Sequence, residues 1–158
     1  MRHIDTLEAL AVFLKADLFP YDASHGIAHP GIRLDLAATQ LARAIKKGER
    51  QAIAIAHRLI MLDPHLPFGK LIKSNLARAL KQQTALLTEA EKLALADQTI
   101  TLLCLPFCPR EAEDYCRLVK RMGAPFASRV IARSHPVNDR ARVLVAALGM
   151  PYPHPGER

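Results

Sequence analysis

The chain has 158 residues, of which half are apolar, and it carries a formal charge of +7 at neutral pH. This length fits one folded domain, and the positive charge favours partners with negative charge, such as nucleic acid or an acidic protein. No run approaches the ~20 apolar residues of a membrane span, and Asp5 and Glu8 interrupt the first apolar stretch, which argues against a secretory signal. We therefore expect no membrane partner.

The apolar residues recur with helical spacing, and β-branched residues show no sustained alternation. The sequence thus predicts an all-α fold of seven or eight helices in a single domain over residues 1–149. Residues 150–158 are rich in proline and are predicted to form a flexible tail.

The first helix is predicted to extend to about Lys15, with Asp5 or Thr6 as its N-terminal cap. Residues 19–31 are dense in Pro, Gly and Asp and are predicted to form a long loop. Long loops in compact domains often carry function, so this segment is a candidate site.

Residues 34–64 predict a helical hairpin. Apolar side chains recur every three or four residues up to Ile45, and the pair Lys46-Lys47 before Gly48 is typical of a helix end. A second, more apolar helix is predicted for residues 51–62, and Asp63-Pro64 ends it. The single glycine between them favours an antiparallel arrangement.

Five further helices are predicted after the hairpin. The first covers residues 68–82, and Thr88 and Glu91 then form a capping box that opens a helix with two apolar stripes, which include Leu93 and Leu105. The remaining helices are predicted over residues 109–122, 125–133 and 137–148, each bounded by proline or glycine.

A short pattern recurs along the chain. Residues 40–46 match residues 75–81 and, more faintly, residues 114–120, at offsets of 35 and 39 residues. Such periods are typical of stacked helical hairpins, whereas the alternative is a chance similarity between segments rich in Ala and Leu.

The hairpin also resembles one unit of the tetratricopeptide family, with HEAT-like hairpins as the alternative. The matching positions are Leu41-Ala42, Ala44-Ile45, Gly48, Ala52, Leu62 and Asp63-Pro64. Ala42 replaces the family's glycine, and the turn is one residue shorter. The resemblance implies stacked antiparallel hairpins, as an open superhelix or a compact bundle, with a surface that binds other proteins. It implies no catalytic residues and no cofactor.

Basic residues occupy the same positions in each repeated segment, where stacking would align them. We call the whole set the basic ladder; its repeated members are Arg43, Lys46, Arg78, Lys81, Arg117 and Lys120, and its flanking members are Lys47, Arg50, Lys70, Lys73 and Arg121. Such a stripe could neutralise phosphates or an acidic partner segment. The alternative is a set of helix exteriors that are basic for solubility, with Glu113 and Asp114 partly neutralising Arg117.

Metal binding is a weaker interpretation of the histidines and cysteines. His25 and His29 have a spacing that holds zinc on helices, but here they lie in a predicted loop, and ordinary surface histidines are expected. Cys104, Cys108 and Cys116 lack the paired spacing of structural zinc sites, and core packing is expected. Their odd number favours a reducing, cytoplasmic compartment.

Three functions remain open from the sequence. The preferred one is a protein-interaction module with a basic binding face, and the first alternative is a nucleic-acid-binding protein that contacts phosphates through the basic ladder. The second alternative is a small enzyme near loop 19–31, which would need His57 or a loop histidine close to a carboxylate such as Asp97. No phosphate loop, dinucleotide fingerprint or nucleophile elbow is present in the sequence.

Overall fold

A computed structural model describes residues 3–23 and 29–151, and in these ranges it contains helices and no β-strand. The eight α-helices are α1 (Leu7–Leu14), α2 (Pro30–Lys46), α3 (Arg50–Leu62), α4 (Gly69–Lys81), α5 (Glu89–Leu103), α6 (Glu111–Met122), α7 (Ala124–Arg133) and α8 (Asp139–Leu148). Two short 3-10 helices, Phe19–Tyr21 and Thr84–Leu86, lie between them. The predicted all-α class and number of helices are confirmed.

Several helix ends follow the predicted local chemistry. The Thr6 hydroxyl accepts a hydrogen bond from the Ala9 amide, and Thr88 with Glu91 forms the predicted capping box. The predicted loop 19–31 is too long at both ends, because Phe19–Tyr21 is a 3-10 helix and α2 begins at Pro30. Proline suits the first turn of a helix, where its missing amide hydrogen would have no partner. The last residues of the predicted tail, 152–158, lie outside the described residues.

The helices pack in two rows. α2, α4, α6 and α8 lie side by side in one row, and α3, α5 and α7 form a second row against it, while α1 packs on α2 and α3. α2 and α4 run in the same direction, since their C-terminal ends meet. Gln83, just after α4, donates from its Nε2 to the carbonyl of Lys46, the last residue of α2, at 2.8 Å. The ends of α6 and α8 meet in the same way, as Lys120 Nζ donates to the Ala147 carbonyl at 3.0 Å. The result is a compact helical bundle.

The core lies between the two rows. Its fully buried side chains include Ile45, Ile53, Leu76, Leu103 and Val119. α4 has neighbours on several sides and leaves only a narrow exposed stripe. Because α4 lies between α2 and α6, the C-terminal ends of these three helices come together on one surface.

The two predicted apolar stripes of α5 are each exposed at one residue. Leu93 and Leu105 are exposed, whereas Leu95, Thr99 and Leu102 are buried. Leu105 lies beyond the last helical residue, so helical spacing does not apply to it. No helix among the described residues has both the length and the apolar composition needed to cross a membrane.

Gly48 is expected to be required for the turn between α2 and α3. Its φ is +82°, in the left-handed region where a Cβ costs about 1–2 kcal/mol. Gly48→Ala should therefore lower the free energy of unfolding by about that amount in urea denaturation. Gly149→Ala is the matched control, because Gly149 has a φ of −82° and an added Cβ there meets only ordinary van der Waals contacts. Equal losses in both variants would contradict this prediction.

Candidate functional site

The ends of α4 and α6 enclose a hollow of about 360 Å³, which we call the basic hollow. Its lining residues are Lys81, Gln82, Arg117, Lys120 and Arg121. Four of these five side chains are cations, and no carboxylate is among the described residues that line it. The hollow therefore concentrates positive charge in a concave surface, which favours an anionic group.

The cations of α2 extend this surface on the far side of α4. Arg43, Lys46 and Lys47 are exposed in the last turns of α2, whose end is fixed beside that of α4 by the Gln83 hydrogen bond. None of the three forms an ion pair within residues 3–23 and 29–151. The structure thus brings the repeated members of the basic ladder to adjacent helices, at one end of the bundle.

Acidic residues neutralise the middle of the ladder. Asp114, whose side chain is 6% exposed, accepts a hydrogen bond from Arg78 Nε at 3.1 Å, and Arg117 lies 3.8 Å from the same oxygen. Arg117 also donates to Glu113 at 2.7 Å, as expected from their spacing of four residues on α6. Lys81 and Arg121, in contrast, form no ion pair within the described parts of the chain. These two side chains offer the most available positive charge in the basic hollow.

Three predicted members of the ladder do not belong to this surface. Lys73 is a buried residue, with a side chain that is 8% exposed, and its ammonium pairs with Asp63 at 2.6 Å. Arg50 is exposed, but its charge is matched by Glu91 at 2.6 Å in the second row. Lys70 is exposed at the opposite end of α4, roughly 16 Å from Lys81 at 1.5 Å per helical residue.

The helix ends have a demand of their own for positive charge. The last carbonyls of a helix carry partial negative charge, which nearby Lys and Arg side chains offset. Lys120 meets this demand directly through its hydrogen bond to the Ala147 carbonyl in the last turn of α8. Part of the ladder therefore stabilises the fold, and Lys81 and Arg121 are the members best placed to bind a partner.

A second hollow, of about 400 Å³, lies between α6 and α8, and we call it the apolar hollow. Its lining residues are Glu113, Cys116, Arg117, Lys120, Val143, Leu144, Ala147 and Leu148. Sequence reasoning missed it, because only the bounds of the last helix were predicted and no face of it was assigned. The signal was available, since Val143, Leu144 and Val145 are too many consecutive apolar residues for one face of a surface helix.

Cys116 contributes to the apolar hollow as a neutral thiol. Burial is the main reason that its pKa rises to about 12, and nearby Cys108 and Glu113 add to the effect. Because the thiolate is the reactive form, we expect Cys116 to resist iodoacetamide at pH 8 in the folded protein while half-buried Cys104 reacts. Mass spectrometry of the alkylated chain measures this, and all three cysteines should react after unfolding. Equal labelling of Cys116 and Cys104 in the folded protein would contradict the prediction.

His57 and Asp97, the pair that the enzyme alternative gave as its example, have different neighbours in the structure. His57 Nε2 is buried without a hydrogen-bond partner, and burial lowers the pKa of His57, an effect that the charge of Glu91 opposes. Asp97 instead binds Arg129, with Nε–Oδ1 and Nη2–Oδ2 distances of 2.7 and 3.2 Å. Asp97 is thus paired with Arg129 and not with His57 among the described residues, and the enzyme alternative remains an untested prediction.

Of the two histidines in the predicted loop, His29 lies among the described residues. His29 accepts a hydrogen bond from the Ile32 amide at 3.3 Å and caps α2, whereas His25 lies outside the described residues. Asp22 binds Arg33 at 2.7 Å. Among the residues that the structure describes, no group of three or more His, Cys, Asp or Glu side chains could hold a metal ion.

Comparison with known proteins found no matching family model, no matching curated protein and no matching solved structure.

Proposed function

We propose that this protein is a helical-repeat interaction module that binds an acidic segment of another protein at the basic hollow. The observation that carries the proposal is the hollow itself, which is lined by four cations and no described carboxylate. Two of these cations, Lys81 and Arg121, form no ion pair in the part of the chain that the structure describes. A chain of carboxylates could reach Lys81 and Arg121 in this concavity without displacing an acidic partner from either of them, as far as the structure describes the chain.

The position of the repeated segments supports a repeat of the tetratricopeptide or HEAT type. Segments 40–46, 75–81 and 114–120 fall on α2, α4 and α6, which are successive neighbours in one row. Stacked repeats place equivalent helices side by side in this manner. The proposal includes a reducing, cytoplasmic location, which the three free cysteines support.

Nucleic acid binding is the second candidate. It is favoured by a stripe of cations, three helices wide, that runs from Arg121 across Lys81 to Lys46 and Lys47 at the end of α2. None of the four forms an ion pair with another described residue. With about 9 Å between neighbouring helices, this stripe spans several phosphates of a backbone. This candidate predicts binding to a short DNA duplex or to single-stranded RNA. The logarithm of the binding constant should fall linearly with the logarithm of the salt concentration.

The two candidates can be separated with defined probes. Selection from a displayed library of random peptides should enrich acidic sequences on the wild-type protein, and the enriched peptides should compete with each other for one site. Fluorescence anisotropy then compares the best peptide with the DNA duplex and the RNA at one moderate salt concentration. Selection without acidic enrichment would refute the proposal, and tighter binding of either nucleic acid with a steep salt slope would favour the second candidate.

A further inference from the structure

The basic hollow and the apolar hollow share a wall. Arg117 and Lys120 line both, because they lie on the exposed side of α6 between α4 and α8. Lys120 is held across the gap to α8 by its hydrogen bond to the Ala147 carbonyl. The two hollows therefore adjoin each other across α6, with the basic hollow on the side of α4 and the apolar hollow on the side of α8.

The apolar hollow is built for a side chain without charge. Its floor and wall contain Cys116, Leu144 and Leu148, and Val143 at its edge is 66% exposed. The single carboxylate of its lining, Glu113, is engaged by Arg117 at 2.7 Å and lies 3.7 Å from Arg140. Covering these apolar atoms with a partner's apolar side chain would remove them from water, which is favourable.

From this geometry we infer that the bound segment carries an apolar anchor residue in the apolar hollow and carboxylates in the basic hollow. This inference rests on the proposed function and adds the sequence pattern of the partner. Positive charge in the basic hollow favours a segment that has carboxylates beside its apolar residue. The cations that line this hollow are Lys81, Arg117, Lys120 and Arg121.

The spacing of the pattern follows from helix packing. The two hollows lie on opposite sides of α6 and are therefore separated by about one interhelical distance, ~9 Å. An extended chain advances ~3.3 Å per residue. The carboxylates should thus lie about three residues from the anchor along the partner segment.

Two variants of α8 test where the anchor binds. Ala147→Phe introduces a ring at a residue that lines the apolar hollow, and Ala146→Phe is the matched control, because Ala146 is equally exposed but does not line it. Each variant is titrated with the best acidic peptide from the displayed library and with a version in which the apolar residue is replaced by Ser.

The expected result has three parts. The Ser peptide binds wild-type protein at least about tenfold more weakly than its parent. Ala147→Phe removes this difference by weakening only the parent peptide, and Ala146→Phe leaves both affinities unchanged. Thermal denaturation of both variants establishes that α8 remains folded.

The inference and the proposed function fail in different ways. Acidic peptides that bind wild-type protein equally well with Ser in place of the apolar residue would overturn the inference and leave the proposed function intact. An equal loss of affinity in Ala146→Phe and Ala147→Phe, with both folded, would also overturn it. The absence of any acidic peptide that binds would overturn the proposed function and the inference with it.

Discussion

Reversing the two unpaired charges of the basic hollow, in the double variant Lys81→Glu with Arg121→Glu, is expected to weaken binding of acidic peptides by about 100-fold or more. This corresponds to about 2.7 kcal/mol, or roughly half that per residue, slightly less than the ~1.5–3 kcal/mol typical of a hydrogen bond to a charged group. Neither side chain forms an ion pair within residues 3–23 and 29–151, so no described partner loses its counter-charge. The new carboxylates near helix ends cost stability of about 0.3–1 kcal/mol each.

A matched variant separates local from overall charge. Arg58→Glu with Lys70→Glu changes the net charge by the same amount, and both residues are exposed and away from the basic hollow. This control should bind acidic peptides within about threefold of wild type at moderate salt, because distant surface charges are screened. If both double variants lose affinity equally, the binding depends on net charge and not on the basic hollow.

Asp63→Asn is expected to lower the free energy of unfolding by about 3 kcal/mol. The substitution leaves the Lys73 ammonium without its counter-charge in a nearly closed environment, and an uncompensated buried charge costs about 3–5 kcal/mol. The expected loss lies at the low end because the Asp63 side chain is 33% exposed and an amide oxygen can still accept a hydrogen bond. Asparagine also tolerates the φ of +47° at this position, so backbone strain does not confound the result.

A double variant tests whether the unpaired charge of Lys73 causes the loss of stability. Asp63→Asn combined with Lys73→Met removes both charges and keeps an unbranched side chain inside the bundle, so most of the lost stability should return. Urea denaturation of wild type, both single variants and the double variant completes the cycle. A loss below about 1 kcal/mol in Asp63→Asn, or no recovery in the double variant, would contradict a structural role for Lys73.

Local chemistry explains why most of the fold could be predicted. Thr6, the Thr88–Glu91 box and Gly48 act within a few residues of the chain, and their effect is visible in sequence. Burial of Lys73 could not be predicted in the same way. Its position beside Ile72 allows either exposure or burial, and only the packing of α4 at the centre of its row decides between them.

The candidate site shows the same division. Arg43, Arg78 and Arg117 lie on the neighbouring helices α2, α4 and α6, where stacking of the similar segments would place them. Repeat spacing could not predict that Asp114 would engage Arg78, because that contact depends on the stagger between α4 and α6. The apolar hollow was also missed, since helical periodicity identifies an apolar face without indicating whether another helix covers it.

The most direct test of the binding site is a nuclear magnetic resonance titration of the isotope-labelled protein with the best acidic peptide from the displayed library. The account predicts that the largest amide shifts occur at the ends of α4 and α6, at Lys81, Gln82 and Arg121, with further shifts in α8 around Val143. Shifts concentrated instead in α1, or along α5 and α7 in the second row, would contradict binding at the basic hollow.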